Sequence, residues 1–122
     1  MSKLQETLDK ALQLNGALCV ALVDYKSGMV VGKADTGSGF KIELAAAGNT
    51  EVVRAKKGVV EKLGLKQEIE DILITLNNQF HLIRILHNNA NLFFYLVLDR
   101  TKANLAMARL ELESLDENLQ LS

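Results

Sequence analysis

At 122 residues, 48% of them apolar and 24% charged, with a formal net charge of −1, this chain has the size and balance of a single domain spanning 1–122. The charge excludes a basic field for nucleic acid or an anionic membrane, and no apolar run approaches the ~20 residues of a membrane span. The one cysteine, Cys19, sits in Leu18-Cys19-Val20-Ala21-Leu22, where it reads as a small buried hydrophobe. The absence of an internal disulfide partner fits a reducing compartment. The start Met1-Ser2-Lys3-Leu4-Gln5-Glu6 carries an acid and no apolar stretch, unlike a signal peptide, so a cytoplasmic protein is expected.

In chain order, Ser2 and Gln5 read as a capping box opening a helix with the stripe Leu4, Leu8, Ala11 and Leu12, ended by Asn15-Gly16. Ala17–Val23 is a strand, Asp24–Gly28 a turn, and Met29–Ala34 the returning arm of a hairpin. The loop Thr36–Gly39 leads into a long helix, about Phe40 to Leu63, with Ser38 as its candidate N-cap and Gly64 closing it. On that helix Ile42, Ala45, Ala46, Asn49, Val52, Val53, Val59, Val60 and Leu63 recur at helical spacing. Three strand-like runs follow: Asp71–Asn77, Gln79–His87 and Asn91–Leu98.

The last run is apolar on both faces, Leu92, Phe94, Leu96 and Leu98 on one and Phe93, Tyr95 and Val97 on the other. A strand covered on one side only would alternate with polar residues, so this sheet must be sandwiched. A final helix, about Thr101 to Asn118 and capped by Asp99, carries Leu105, Ala108, Leu112, Leu115 and Leu119 on one face. The order is α-β-β-α-β-β-β-α. Every strand connection within the hairpins is short, which makes the five-stranded sheet antiparallel and the class α+β, with three helices covering both faces.

Several constellations resemble catalytic or ligand sites. Asp35-Thr36-Gly37-Ser38 copies the signature of aspartic proteases, but a helix follows where that fold continues as strands, so a polar loop is the simpler reading. The same glycines lack the Gly-Lys-Ser/Thr ending of a phosphate loop. His81 and His87, six residues apart on one run, would stand ~20 Å apart at strand rise, too far to share a metal. Glu68, Glu70 and Asp71 cluster ahead of the first apolar run and read as a solvated loop. No catalytic, cofactor or metal residues are assigned.

Surface remains. The run Ile72-Leu73-Ile74-Thr75-Leu76 has neither Pro nor Lys to blunt an edge strand. The long helix carries Leu44-Ala45-Ala46-Ala47-Gly48, and Gly48 costs about 1 kcal/mol against Ala in a helix interior. Small residues there suit either packing on its own sheet or close approach of a second helix. The breadth of the apolar face favours the second. If two copies of Asp71–Asn77 pair about a two-fold axis, the open edge disappears and the long helices meet. The expected interface of this homodimer is Ile72, Ile74, Leu76, Leu44, Ala45, Gly48 and Val52.

Order and spacing together resemble the roadblock / dynein light chain family. The residues that carry this are the hairpin Leu22-Val23-Asp24-Tyr25-Lys26-Ser27-Gly28-Met29-Val30-Val31, the helix segment Leu44-Ala45-Ala46-Ala47, and Ile72-Leu73-Ile74-Thr75-Leu76 with His81-Leu82-Ile83-Arg84-Ile85-Leu86. The resemblance covers nearly the whole chain. It implies a profilin-like fold with sheet order 2-1-5-4-3, the first and last helices on one face and the central helix on the other. It also implies binding and regulation of a small Ras-like GTPase, as in a bacterial gliding-motility regulator, a homodimer that stimulates hydrolysis by its partner. The alternative is a scaffold or adaptor without effect on nucleotide turnover. Family members have no invariant catalytic residue. Here the outward polar residues Glu43, Thr50, Glu51, Arg54 and Lys57 of the central helix are the expected partner contacts. Arg54 is also a conceivable arginine finger, and Arg84 and Arg100 are structural.

Overall fold

Why β5, Leu92–Asp99, can be apolar at every position from Leu92 to Leu98 is plain in the computed structural model, which describes residues 3–119: it is the middle strand of the sheet, and both its faces are covered. The strands are β1 (Ala17–Asp24), β2 (Val30–Asp35), β3 (Asp71–Thr75), β4 (Gln79–Ile85) and β5, in the order β2-β1-β5-β4-β3, every pairing antiparallel. The helices are α1 (Lys3–Ala11), α2 (Ile42–Lys62) and α3 (Leu105–Asn118).

The alternation of side chains along each strand divides the core in two. Val20, Leu22, Leu82, Phe94, Leu96 and Leu98 pack with Leu8 and Ala11 of α1 and with Ala108, Leu112 and Leu115 of α3. Cys19, Ala21, Val23, Ile83, Ile85, Phe93, Tyr95 and Val97 pack with Ile42, Ala46 and Val53 of α2. Fold class, strand order and helix placement therefore agree with the sequence reading. Cys19 is fully buried, and desolvation pushes its thiol up to about 12, which makes it a core hydrophobe rather than a nucleophile.

Caps and boundaries differ locally from the sequence reading. The Ser2 half of the expected capping box lies outside the described residues; Gln5 donates to Asp9 Oδ1 at 3.0 Å and to the Lys33 carbonyl at 3.3 Å. Ser38 does not cap α2, since its hydroxyl donates to Asp35 and accepts from the Phe40 N–H. The helix starts behind Lys41 with no side-chain cap. Asp99 does not cap α3. Its carboxylate accepts from the Thr101 N–H and hydroxyl, folding a turn before the helix, and Asn104 caps instead by accepting from Met107 N–H at 3.1 Å. The strand β4 stops at Ile85, two residues short of His87, whose N–H turns to Asp116.

Gly16, between α1 and β1, sits at φ +82°, where a Cβ would lie 2.9 Å from the Asp99 carbonyl and 3.0 Å from the Ala103 nitrogen. Gly37, at φ +87°, faces open space. Gly16→Ala is expected to cost at least about 2 kcal/mol in urea unfolding, from left-handed strain plus a backbone clash, and Gly37→Ala about 1 kcal/mol from strain alone. Equal losses at the two sites would contradict the steric part of this argument.

Candidate protein-docking site

The two edges of the sheet are built differently. Between Leu22 and Val23 the β1–β2 register slips, Leu22 facing Gly32 and Val23 facing Val30, so that Val31 is skipped and stands 49% exposed. Lys33 on the same strand forms an ion pair with Glu43 and accepts at its carbonyl from Gln5. A bulge, a lysine and a covered carbonyl all discourage pairing with a further strand. The β3 edge has none of these: Asp71 to Thr75 pair with Arg84 to Phe80 in unbroken register. Ile72 and Ile74 are half-buried against the α2 side of the core, and Leu76 just beyond is 44% exposed.

Ala45 of α2 packs against the same core cluster as Ile72 and Ile74, and the flank of α2 turned away from that core is also apolar or small. Leu44 is 72% exposed, Ala45 and Val52 are half-buried, and a Cβ placed on Gly48 would meet nothing within 4 Å. The apolar stripe read from the sequence is thus wider than the sheet beneath it. Ile42, Ala46 and Val53 are buried, while Val59 and Leu63 remain 47% and 65% exposed.

The expected polar contacts separate into three groups. Glu51, Arg54 and Lys57 gather around Tyr25 in the β1–β2 turn. Arg54 bonds Glu51 at 2.6 Å and donates to the carbonyls of Tyr25 and Lys26 at 3.2 and 2.7 Å. Its guanidinium carbon lies 5.7 Å from the Tyr25 ring centroid. The Lys57 ammonium lies 4.1 Å over the same ring and 3.3 Å from the Ala90 carbonyl. Glu43 is 11 residues up the helix from Arg54, about 16 Å at 1.5 Å per residue, and is held by Lys33. Thr50 must be corrected: it is 1% exposed, not outward. Its hydroxyl donates to the Ala46 carbonyl at 2.8 Å, and Gly28 of the hairpin turn lies against it. A threonine that satisfies its hydroxyl within its own helix can face the core without an orphaned polar group.

These contacts make Arg54 a strut that ties α2 to the β1–β2 turn. Tyr25, on which both cations rest, was read in the sequence only as a turn residue. Its signal would have been a lone aromatic in a turn whose partner helix carries cations at Arg54 and Lys57, one helical step apart. Arg84 and Arg100 are structural, as expected: Arg84 pairs with Asp116, and Arg100 donates to the Leu76 carbonyl at 3.0 Å and lies over Phe80.

The remaining constellations resolve into braces. The Asp35 carboxylate accepts from the N–H groups of Gly37 and Ser38, each at 2.9 Å, and from the Ser38 hydroxyl. These bonds, the Ser38 N–H first, hold its pKa below the usual carboxylate value. Asp71 is engaged by Arg109 at 3.0 and 3.3 Å, and with Glu68 and Glu70 it lines a groove of about 980 Å³ between the end of α2 and β4. Among the described residues no three His, Cys, Asp or Glu side chains come together as a metal site, and no helix is long and apolar enough to cross a membrane.

Comparison with protein-family models finds no match, and comparison with curated proteins finds none either. Solved structures do match. Myxococcus xanthus MglB superposes with a TM-score of 0.83 at 17% identity, over 96% of this chain and 91% of that one. A Roadblock/LC7 domain from Streptomyces avermitilis gives 0.81 at 12% identity, over 95% and 93%. The gliding protein MglB from Thermus thermophilus gives 0.72 at 19% identity, over 94% and 89%. At these identities the likeness is one of fold, and it extends over almost the whole of each chain: this protein has the roadblock fold.

Proposed function

We propose that this chain is a homodimeric regulator without an active site of its own, which binds a small Ras-like GTPase and modulates its GTP hydrolysis. The observation that carries the dimer is the asymmetry of the sheet edges: β2 is bulged and guarded, while β3 is regular and carries Ile72 and Ile74, with Leu76 just beyond it. Two β3 strands pairing antiparallel would close the sheet across a two-fold axis and set Leu44, Ala45, Gly48 and Val52 of the two α2 helices side by side. The fold shared with MglB supports a regulatory role, and the resemblance to the roadblock family supplies the GTPase as partner.

In this reading Glu43, Glu51, Arg54 and Lys57 rim the docking surface, and Thr50 supports it from beneath. The GTPase performs the chemistry while the dimer positions its switch loops. The bonds of Arg54 to two carbonyls and Glu51 favour positioning over an arginine finger, and they equally suit the scaffold reading. Phosphate release from a Ras-like GTPase of the same genome, timed in single turnover with and without the purified dimer, separates the two. A changed rate supports regulation. Tight binding with unchanged turnover leaves the scaffold.

Substitution of Arg54 tests the strut. Loss of a finger lowers stimulated hydrolysis by about 10³-fold or more. Arg54→Lys is expected to lower it by about tenfold at most, because only the hold on the Tyr25 turn is weakened. A thousandfold loss in a variant of normal stability would overturn the strut.

A further inference from the structure

One polar thread crosses the otherwise apolar α2 side of the sheet. The Tyr95 hydroxyl on β5 lies 2.9 Å from Nδ1 of His81 on β4, and Nε2 of that ring lies 2.9 Å from Oε1 of Gln79. A carboxamide oxygen only accepts, so Nε2 carries the proton and donates to Gln79. Nδ1 is then bare and accepts from the tyrosine. The Asn49 side chain of α2 acts on the phenol to lower its pKa, against the larger effect of burial, and its amide nitrogen donates to the Ala45 carbonyl at 2.9 Å. The thread thus runs from β5 to β4, and its Tyr95–Nδ1 bond requires a neutral imidazole, whereas the Nε2–Gln79 bond survives protonation.

His81 faces no anion. Across the sheet it meets Ile74 of β3 and Val97 of β5, and the Phe40 ring stands edge-on to it at 5.6 Å from the loop ahead of α2. From α2, Asn49 acts on Tyr95. From β1, Cys19 stands behind Tyr95, and Asp35 at the end of β2 acts on Cys19. Burial holds the tyrosine and the thiol neutral by raising both, and burial alone lowers the pKa of His81 from its ordinary 6.5. Protonation puts a hydrogen on Nδ1, facing the tyrosine hydrogen. The phenol must then turn its hydrogen away so that its oxygen can accept from Nδ1, and that hydrogen needs another acceptor in a largely apolar layer.

We propose that His81 is a proton-sensitive latch on the surface formed by β3 and the adjoining flank of α2, closed when the ring is neutral and loosened when it takes up a proton. The latch deepens the homodimer reading and rests on it, because Ile74, directly opposite His81, belongs to the proposed seam. The sign follows from linkage. Burial already lowers the pKa of His81 in the single protomer, and a second β3 laid over the seam would bury the ring further, so that the proton is held more weakly in the dimer than in the protomer. Its contribution is therefore complete above pH 6.5 and is lost as pH falls from 6.5 through the folded-state value.

Sedimentation equilibrium at pH 7.5, 6.5 and 5.5, combined with an NMR titration of the imidazoles, tests this. The wild-type dimer dissociation constant is expected to rise about tenfold or more between pH 7.5 and 5.5, tracking the His81 titration. In His81→Gln, which can still accept from Tyr95 and donate to Gln79, the rise should fall below about twofold. The control His87→Gln, at an exposed position, should keep the wild-type response. A wild-type dimer of constant affinity whose His81 titrates at its ordinary value overturns the latch and leaves the dimer standing. A chain that is monomeric at pH 7.5 defeats the dimer, and the latch is then decided by hydrogen exchange along α2. Protection at Ala45–Val52 that falls with the His81 titration supports it, and unchanged protection overturns it.

Discussion

Asp116→Ala is expected to destabilise the protein by about 3–5 kcal/mol, a large part of the stability of an ordinary domain. The Asp116 side chain is 0% exposed and that of Arg84 is 14% exposed, with Arg84 Nε 3.1 Å from Asp116 Oδ2. The His87 N–H lies within 3.1 Å of both carboxylate oxygens. One buried group therefore pins α3 to the end of β4 and to the turn that begins β5. Removing it leaves a desolvated guanidinium and an unpaired backbone donor, and it is this remnant, not the lost attraction, that costs most.

Asp116→Asn keeps an acceptor for His87 and should cost about half as much. Arg84→Met with Asp116→Leu removes both charges and should recover the part of the loss due to the stranded guanidinium, leaving the cost of the unpaired His87 N–H. Urea unfolding of the four proteins measures all of this, and the double variant remains informative if Asp116→Ala does not fold. A loss under about 1 kcal/mol for Asp116→Ala would show that water reaches the pair.

Asp116 also shows where the sequence was silent. It stands four residues after Leu112, in line with the buried stripe, and that spacing was the available sign that this acid faces inward. What the spacing cannot supply is its partner, because Arg84 lies 32 residues away. The same division holds elsewhere. The double-sided burial of β5, the antiparallel sheet and the cover of three helices are local consequences of period and turn chemistry, so they were legible. Strand order came from the family resemblance.

Asp99 and Ser38 misled because a short polar side chain ahead of a helix can close a turn as readily as cap the helix. Thr50 misled because a helical wheel counts it as polar, while its own helix satisfies the hydroxyl. The Tyr95–His81–Gln79 thread depends on the β4–β5 register, and nothing in either strand alone announces it.

Ile74→Lys is expected to separate the proposed homodimer while leaving the protomer folded. In the protomer Ile74 is half-buried beside an open edge, so a lysine there can lay its stem along the α2 side of the core and keep its ammonium in water. Across the proposed seam that exit closes, because the second β3 and the second α2 occupy it. The two-fold axis repeats the insult. With about 2 kcal/mol or more for each poorly solvated ammonium, dissociation should become easier by about a thousandfold. Sedimentation equilibrium measures the shift, and circular dichroism with thermal unfolding shows whether the protomer survives.

Val31→Lys on the guarded β2 edge is the matched control and should leave association unchanged. A dimer of undiminished affinity in Ile74→Lys would remove β3 from the interface. The same variant addresses function. If the docking surface is composite, built from both α2 helices, a monomeric Ile74→Lys protein should lose GTPase binding and any effect on hydrolysis together, although it carries every rim residue from Glu43 to Lys57. Full activity from the monomer would mean that a single α2 suffices and that the seam serves some other purpose.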